Sequence, residues 1–330
     1  MIQIFNRDFD KLSKEHKTKI LSDYSNIKTE LNAKIGAASS GLEKTYKYLF
    51  DNIEKILIGE PSFVESDIIP TIDNYIGIDF FILKDSNGEL INKSICEDIQ
   101  KIFNYKIFST FHTRKYDAYT LAEKLNINVC PYCNRQYINT LKPTATKGGT
   151  RPTLDHFYIK SKYPYLALSF WNLVPSCYSC NSQFRTTQEI GLHPYLNGFE
   201  GILQFYTEID IDLCEYIDNK NKNFTIKLLQ KFKSTPAPID LTNAEKNKTV
   251  FRLEDLYNLS HKDYVKEIIQ KAIIYNKKFS KDLFKTWPDI FNDENEAQRL
   301  ILGNYIKKED YEKRPLAKLT KDIAEELKLI

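Results

Sequence analysis

The sequence contains no apolar run of about 18 residues, the length that a helix needs to cross a membrane. Residues 1–7 also lack the apolar core and the small-residue cleavage site of a secretion signal. These two absences exclude a membrane span and predict a cytoplasmic protein that makes no membrane contact.

Cysteine is scarce, with 6 among 330 residues. Four of them form two tight Cys-x-x-Cys pairs, whereas Cys96 and Cys214 stand alone. In a chain without a secretion signal, this pattern favours metal binding over disulfides.

Acidic residues are nearly missing from the centre of the chain, although the formal net charge is only +3. Between residues 134 and 188 the only acid is Asp155. The basic residues in the same stretch are Arg135, Lys142, Lys147, Arg151, Lys160, Lys162 and Arg185. Such a stretch suits a polyanionic partner, because each neutralised phosphate releases counterions. A solvated basic surface is the alternative interpretation.

Repeats, low-complexity tracts and long Gly/Ser linkers are also absent. Apolar residues recur at helical spacing at both ends of the chain, so we predict an α+β, mainly helical protein around a central metal-binding core. We divide it into an N-terminal helical region at 1–125, a core at 126–200, and a β-hairpin with C-terminal helices at 201–330. In the N-terminal region we find no recognisable chemistry and expect scaffold or a docking surface.

Local patterns predict the boundaries of individual elements. We expect one helix over Leu12–Leu31, a second over Leu42–Leu57 that ends at Gly59, and a short helix over Tyr116–Leu125. A hairpin is plausible between Ile78 and Ile91, and strands over Ile202–Ile217 and Phe224–Leu228 would flank a loop at 219–223. The final helices would begin near Ser260, a favourable N-cap, and near Pro315.

The paired cysteines are Cys130-Pro131-Tyr132-Cys133 and Cys177-Tyr178-Ser179-Cys180. A two-residue spacing brings both sulfurs of a pair to one side of a tight turn, and two pairs complete the four-thiolate shell that zinc prefers. A redox dithiol usually opens a helix after a strand in a βαβ unit, which this sequence does not show. We therefore predict a structural zinc ion on Cys130, Cys133, Cys177 and Cys180.

The zinc cysteines enclose a second set of polar residues. Asp155 and His156 are adjacent, Asn172 follows, and Asn181 comes directly after Cys180. Asp and Asn oxygens are ligands for Mg²⁺ or Mn²⁺, and a neutral histidine can take a proton from an attacking water. An isolated Asp-His pair is more often a surface acid beside a structural histidine, so the prediction depends on this context.

At this point the chain resembles a known family. The motifs Leu154-Asp155-His156-Phe157, Asn172-Leu173-Val174-Pro175 and Cys177-Tyr178-Ser179-Cys180-Asn181 resemble those of HNH endonucleases, in the subtype whose third signature residue is Asn. The resemblance implies a ββα-metal finger, two antiparallel strands and a helix around one cation, supported here by zinc. A weaker similarity at Leu192-His193-Pro194-Tyr195 and Arg314–Leu319 points to bacterial defence proteins, including Septu-type effectors that pair with an ATPase.

The resemblance also assigns roles. His156 would be the general base, Asp155 and Asn181 would hold the catalytic Mg²⁺ or Mn²⁺, and Asn172 would orient the loop or His156. The candidates for phosphate contacts are Arg135, Lys160, Lys162 and Arg185, because Arg and Lys dominate that role. His193 is an additional candidate ligand or phosphate contact, with a structural turn residue as the alternative.

These roles predict a metal-dependent DNA endonuclease that acts in anti-phage defence or restriction. A non-catalytic zinc-supported module that binds nucleic acid is one alternative. The other is an effector that stays silent until a partner such as an ATPase activates it. The sequence does not distinguish DNA from RNA as the substrate, nor does it specify the oligomeric state.

Overall fold

The structure, a computed structural model, describes residues 1–113, 115–208, 224–275 and 277–330. It is an α+β fold in which helices make up most of the regular structure and the described strands form two small antiparallel sheets. Within these ranges no helix is long and apolar enough to cross a membrane.

Nine helices of the described chain precede the first strand. They are α1 (Phe9–Asp23), α2 (Asn26–Lys34), α3 (Ser40–Asp51), α4 (Ile53–Ile58), α5 (Pro61–Phe63), α6 (Ile69–Ile76), α7 (Lys93–Ile102), α8 (Tyr105–Ser109) and α9 (Ala118–Leu125), and a wide helical turn at Val64–Ile68 joins α5 to α6. The short helix predicted up to Leu125 is confirmed as α9, and its residues Ala118, Leu121, Ala122 and Leu125 are buried.

The two long helices predicted at the N-terminus are each interrupted. The first predicted helix ends at Asp23, the last residue of α1. There the Asp23 carboxylate accepts a hydrogen bond from the Tyr116 amide at 2.6 Å, and the Tyr24 hydroxyl donates to the Tyr116 carbonyl at 2.8 Å. The second breaks at Asn52, between α3 and α4. Long-range contacts of this kind are invisible to a local pattern.

The hairpin suggested between Ile78 and Ile91 is confirmed only at its turn, where two short arms pair. One isolated bridge, Lys84 to Leu90, joins its two arms. The turn is closed by Asp85, whose Oδ1 accepts from the amides of Asn87 and Glu89 at 2.9 and 3.0 Å. Ile78 and Ile91 are both exposed, so no buried apolar face extends the pairing.

The first sheet pairs β1 (Thr153–His156) with β2 (Leu173–Ser176). Asp155 lies opposite Val174, and His156 lies opposite Leu173. The loop between the strands contains short 3-10 turns at Pro164–Leu166 and Phe170–Asn172. A wide helical turn, Ser179–Arg185, follows β2 and packs against β1.

The second sheet pairs β3 (Leu203–Glu208) with β4 (Thr225–Gln230). The predicted strand residues 209–217 and the predicted loop 219–223 lie outside the described residues. The C-terminal helices are α10 (Pro238–Val250), α11 (Leu253–Ser260), α12 (Lys262–Ile274), α13 (Lys277–Thr286), α14 (Glu294–Leu302) and α15 (Ala317–Glu326), with a 3-10 helix at Lys308–Lys313. Ser260 ends α11 instead of capping α12, where His261 occupies the cap position.

The last helix is fixed to the first cysteine pair. Asn134 adopts a left-handed conformation directly after Cys133. Its carbonyl accepts from the Leu316 amide at 2.6 Å, and its side chain accepts from the Lys318 amide at 3.1 Å. One buried apolar core includes residues from all three predicted regions, among them Leu49, Leu173 and Leu319. The two ends of the chain therefore pack around the first sheet and the cysteines.

Candidate metal centre and the polar residues beside it

The four paired cysteines converge on one point. Their sulfur atoms all lie within 4.8 Å of one another, and all four residues are buried. The Sγ atoms of Cys133 and Cys177 are 3.9 Å apart. Zn–S bonds of about 2.3 Å in a tetrahedron place sulfurs about 3.8 Å apart, so the cluster fits such an ion. The cluster can therefore hold a metal such as zinc.

The electrostatics of the cluster favour a bound cation. Burial raises the pKa of the Cys130 thiol, and hydrogen bonds from the other three thiols lower the pKa of Cys177. Four buried thiols cannot all ionise without a counter-charge, and a divalent metal supplies it. Among the described residues this is the only cluster of three or more Cys, His, Asp or Glu side chains close enough to ligate one ion.

Asp155 points inward from β1 and is 4% exposed. The Tyr132 hydroxyl donates to its Oδ2 at 2.7 Å. The Arg185 guanidinium forms an ion pair with the same oxygen. In the part of the chain that the structure describes, Oδ1 forms no hydrogen bond, which leaves that oxygen for a cation.

His156 lies on the opposite face of β1 and is only partly buried, as the alternation of side chains along a strand requires. Its Nε2 is 3.2 Å from the Ala167 carbonyl oxygen. A carbonyl only accepts hydrogen bonds, so Nε2 carries the proton and Nδ1 keeps a lone pair. The ring lies edge-on to Tyr105 of α8, with the ring centroids 4.4 Å apart.

Burial, together with the nearby charges of Lys160 and Arg185, lowers the pKa of His156 to about 3, against the opposing effect of the Ala167 carbonyl. Because the ring is partly exposed, solvent screens some of this effect. The imidazole is therefore neutral at physiological pH, the state in which a histidine accepts a proton.

Asn172 is buried and holds the loop between the strands. Its Oδ1 accepts from the Tyr158 amide at 2.5 Å. Its Nδ2 donates to the carbonyls of Leu166 and Tyr158 at 2.9 and 3.2 Å. These contacts are with the loop, and none of them involves His156.

Asn181 lies in the turn after Cys180 and is partly exposed. Its amide donates to the Cys177 carbonyl at 3.1 Å. Among the described residues its side chain forms no hydrogen bond, so the side-chain oxygen has no competing donor. Mg²⁺ is usually bound by one or two protein oxygens together with water and substrate phosphate. Asp155 Oδ1 and the Asn181 side-chain oxygen are atoms of the type that Mg²⁺ takes as ligands.

His193 is a structural residue in this fold. It is buried, its Nε2 donates to the Trp171 carbonyl at 2.6 Å, and its Nδ1 accepts from the Tyr195 amide at 3.2 Å. Burial lowers its pKa to about 4. Both ring nitrogens are occupied, so the geometry favours the structural alternative over a ligand or phosphate contact.

The four predicted phosphate contacts are placed very differently. Arg185 is 1% exposed and paired with Asp155, so the prediction that it contacts phosphate is corrected. The Lys162 ammonium lies 3.0 Å from Asp79 and 3.4 Å from Glu189, and the hydrogen bond to Asp79 raises its pKa. Arg135 donates from Nε to His261 at 2.8 Å.

Lys160 alone of the four is exposed, and it lies over the Tyr105 ring that touches His156. Arg151 flanks the same place, because its guanidinium donates to the Ser109 carbonyl of α8 at 2.9 Å. In the described chain neither cation has a carboxylate partner within ion-pair distance. Lys160 thus lies beside the Tyr105 ring that packs on His156, and Arg151 is bonded to the end of the same helix.

Sequence reasoning missed three residues at this site. Tyr105 packs on His156 only through tertiary structure and no local signal marks it, whereas Arg151 was visible only as one of several basic residues in its stretch. Tyr132 was visible as the residue inside the first Cys-x-x-Cys pair, but only the fold shows that it reaches Asp155.

No protein-family model, curated protein or solved structure gives a significant match to the chain.

Proposed function

We propose that the chain is a metal-dependent endonuclease of the HNH type that hydrolyses phosphodiester bonds in DNA. One observation supports this proposal most strongly. The strand that bears Asp155 and His156 pairs with the strand that leads directly into Cys177, and all four cysteine sulfurs meet there. The order of two strands and a helical turn is the order expected for a ββα-metal finger.

His156 has the properties that a general base requires. It is neutral, it is partly exposed, and the Ala167 carbonyl fixes the proton on Nε2, so Nδ1 would accept a proton from the attacking water. A phosphate nearby would raise its pKa toward the ordinary range and make it a stronger base. Mg²⁺ or Mn²⁺ on Asp155 and Asn181 would supply charge stabilisation at the phosphate oxygens.

Lys160 and Arg151 would lie against the backbone of the substrate. Lys160 lies over the Tyr105 ring and Arg151 is bonded to Ser109 at the end of the same helix, and neither has an acidic partner among the described residues. Backbone phosphates are the usual target of such cations, and their contacts position the strand without reading its sequence. Cleavage with little sequence preference is the expected outcome.

The test is cleavage of supercoiled plasmid with Mg²⁺ or Mn²⁺, with and without EDTA. We expect metal-dependent nicking that falls by at least about a hundredfold in His156→Ala while zinc content and the unfolding temperature are retained. His112→Ala is the matched control, because the His112 ring bonds to the Ile107 carbonyl and, among the described residues, to none of Asp155, His156, Asn172 and Asn181. Equal rates for wild type and His156→Ala would remove His156 from the mechanism.

A non-catalytic module that binds nucleic acid is the second candidate. The observation that favours it is the occupied Asp155 carboxylate, since Tyr132 and Arg185 already share Oδ2. Salt-dependent binding without nicking of plasmid, single-stranded DNA or RNA would select this candidate. An effector activated by an ATPase or another sensor is a third, and recovery of cleavage when the partner is added would identify it.

A further inference from the structure

Tyr132 connects the cysteine cluster to Asp155. It is the residue between Pro131 and Cys133, and its side chain is completely buried. The ring stacks on Phe251 with centroids 4.4 Å apart and planes 19° from parallel. This packing fixes the direction of the hydroxyl, which donates to Asp155 Oδ2 at 2.7 Å.

Arg185 makes the same connection from the second cysteine pair. It ends the helical turn Ser179–Arg185, which contains Cys180. Its guanidinium pairs with Asp155 Oδ2, donates to the Phe157 carbonyl at 2.5 Å, and donates to the Gln188 carbonyl at 3.2 Å. A buried charge with this many partners has one geometry available to it, because each lost contact would leave a polar group unsatisfied.

We infer that Tyr132 and Arg185 are positioning residues that transmit the geometry of the cysteine cluster to Asp155 and thereby set its affinity for a divalent cation. The inference rests on the proposed function, because it assigns Asp155 to that cation. Tyr132 lies inside the first cysteine pair and Arg185 ends the turn that contains Cys180, and both donate to Asp155 Oδ2.

The shared oxygen explains how the arrangement would work. With Oδ2 held by a hydroxyl and a guanidinium, the carboxylate cannot rotate, and Oδ1 is presented in one orientation. Asp155 would then offer Oδ1 to a cation, while Oδ2 stays with the hydroxyl and the guanidinium. Hydrogen bonds to metal ligands orient them, and their removal commonly costs 10- to 100-fold in metal affinity or activity.

The test measures Mn²⁺ binding to the zinc-bound full chain by electron paramagnetic resonance, together with zinc content and the unfolding temperature. Tyr132→Phe removes the hydroxyl and keeps the ring on Phe251, and Tyr137→Phe is the matched control because Tyr137 is exposed. Arg185→Gln removes the charge, and Arg185→Lys keeps it. We expect Tyr132→Phe to weaken Mn²⁺ binding about tenfold with zinc retained, Arg185→Gln to weaken it more, and Arg185→Lys to recover part of the loss.

A lower unfolding temperature with unchanged Mn²⁺ affinity in Tyr132→Phe would overturn the inference, because the contact would then only stabilise the fold. Failure of the wild type to bind Mn²⁺ would overturn it too. Plasmid cleavage is scored separately. If the wild type binds Mn²⁺ and the variants bind it more weakly but nothing is cleaved, the inference stands and the proposed nuclease function fails. If the wild type cleaves and the variants bind Mn²⁺ normally, the nuclease function stands and the inference fails.

Discussion

The four cysteines and the set Asp155, His156, Asn172 and Asn181 lie in or next to the first sheet, but they are organised differently. The cysteine sulfurs all point to one centre. The other four side chains have separate neighbours: Asp155 faces the interior, His156 faces the exposed side, and Asn172 holds a loop. The cysteines thus converge on one centre, whereas the contacts of the other four side chains do not point to a common centre in the free protein. The two regions therefore respond to different perturbations.

Removal of one cysteine should have the largest effect. Cys180→Ser leaves three thiolates, which no longer complete the tetrahedral shell, so zinc content should fall well below one per chain and the unfolding temperature should drop. Cleavage should be lost with the fold. Zinc analysis and thermal unfolding measure this, with Cys96→Ser as the control because Cys96 is buried outside the cluster. Full zinc content in Cys180→Ser would show that the cluster is not the zinc site.

Replacement of Asn172 tests whether the set Asp155, His156, Asn172 and Asn181 includes a residue that acts by stabilising the fold. Asn172→Ala leaves the buried Tyr158 amide without its acceptor, and we expect a loss of about 3 kcal/mol in the free energy of unfolding. Cleavage should fall together with stability, whereas in His156→Ala it should fall alone. Urea unfolding measures the first quantity, and Asn139→Ala, at an exposed asparagine, is the control. Full stability in Asn172→Ala would contradict this role.

Lowering the pH should reduce the free energy of unfolding through the buried structural histidines His16 and His193. Burial lowers the pKa of His16 and of His193 to about 4 each, below the unfolded value of 6.5. The unfolded chain thus binds more protons between these values, so stability falls as the pH drops from 7 to 4.5, by about 2 kcal/mol for each histidine. In urea unfolding, His193→Gln should show a shallower pH dependence than wild type. An unchanged slope would mean that His193 is already protonated or exposed.

Replacement of Lys160 or of Lys162 should give the smallest effects, and the salt dependence of DNA binding should change for Lys160 but not for Lys162. In a His156→Ala background, Lys160→Gln should weaken DNA binding and reduce the slope of log K against log salt by about 1. Lys162→Gln should leave the slope unchanged, because its ammonium already faces Asp79 and Glu189. Fluorescence anisotropy at several salt concentrations measures both. Equal slopes for the two variants would break the distinction between a free and an occupied cation.

Sequence reasoning was most successful where geometry is local. The spacing of Cys130 with Cys133 and of Cys177 with Cys180 predicted a cluster, and the structure places all four sulfurs together. The short helix α9 and the last helix were also predicted, and Leu121, Leu319 and Ile323 on them are buried. It was least successful where distant segments meet, as in the interruption of the first helix by Tyr116.

The sequence by itself determined the cysteine pairs and the order of the polar residues between them, because a two-residue spacing and a strand alternation follow from the backbone alone. Only the tertiary structure decided what each charge does. Arg185 and Lys160 are both basic residues of the same segment, yet one is buried against Asp155 and the other is exposed beside His156. That difference depends on which elements pack around each side chain, and burial and partner charges are properties of the folded chain.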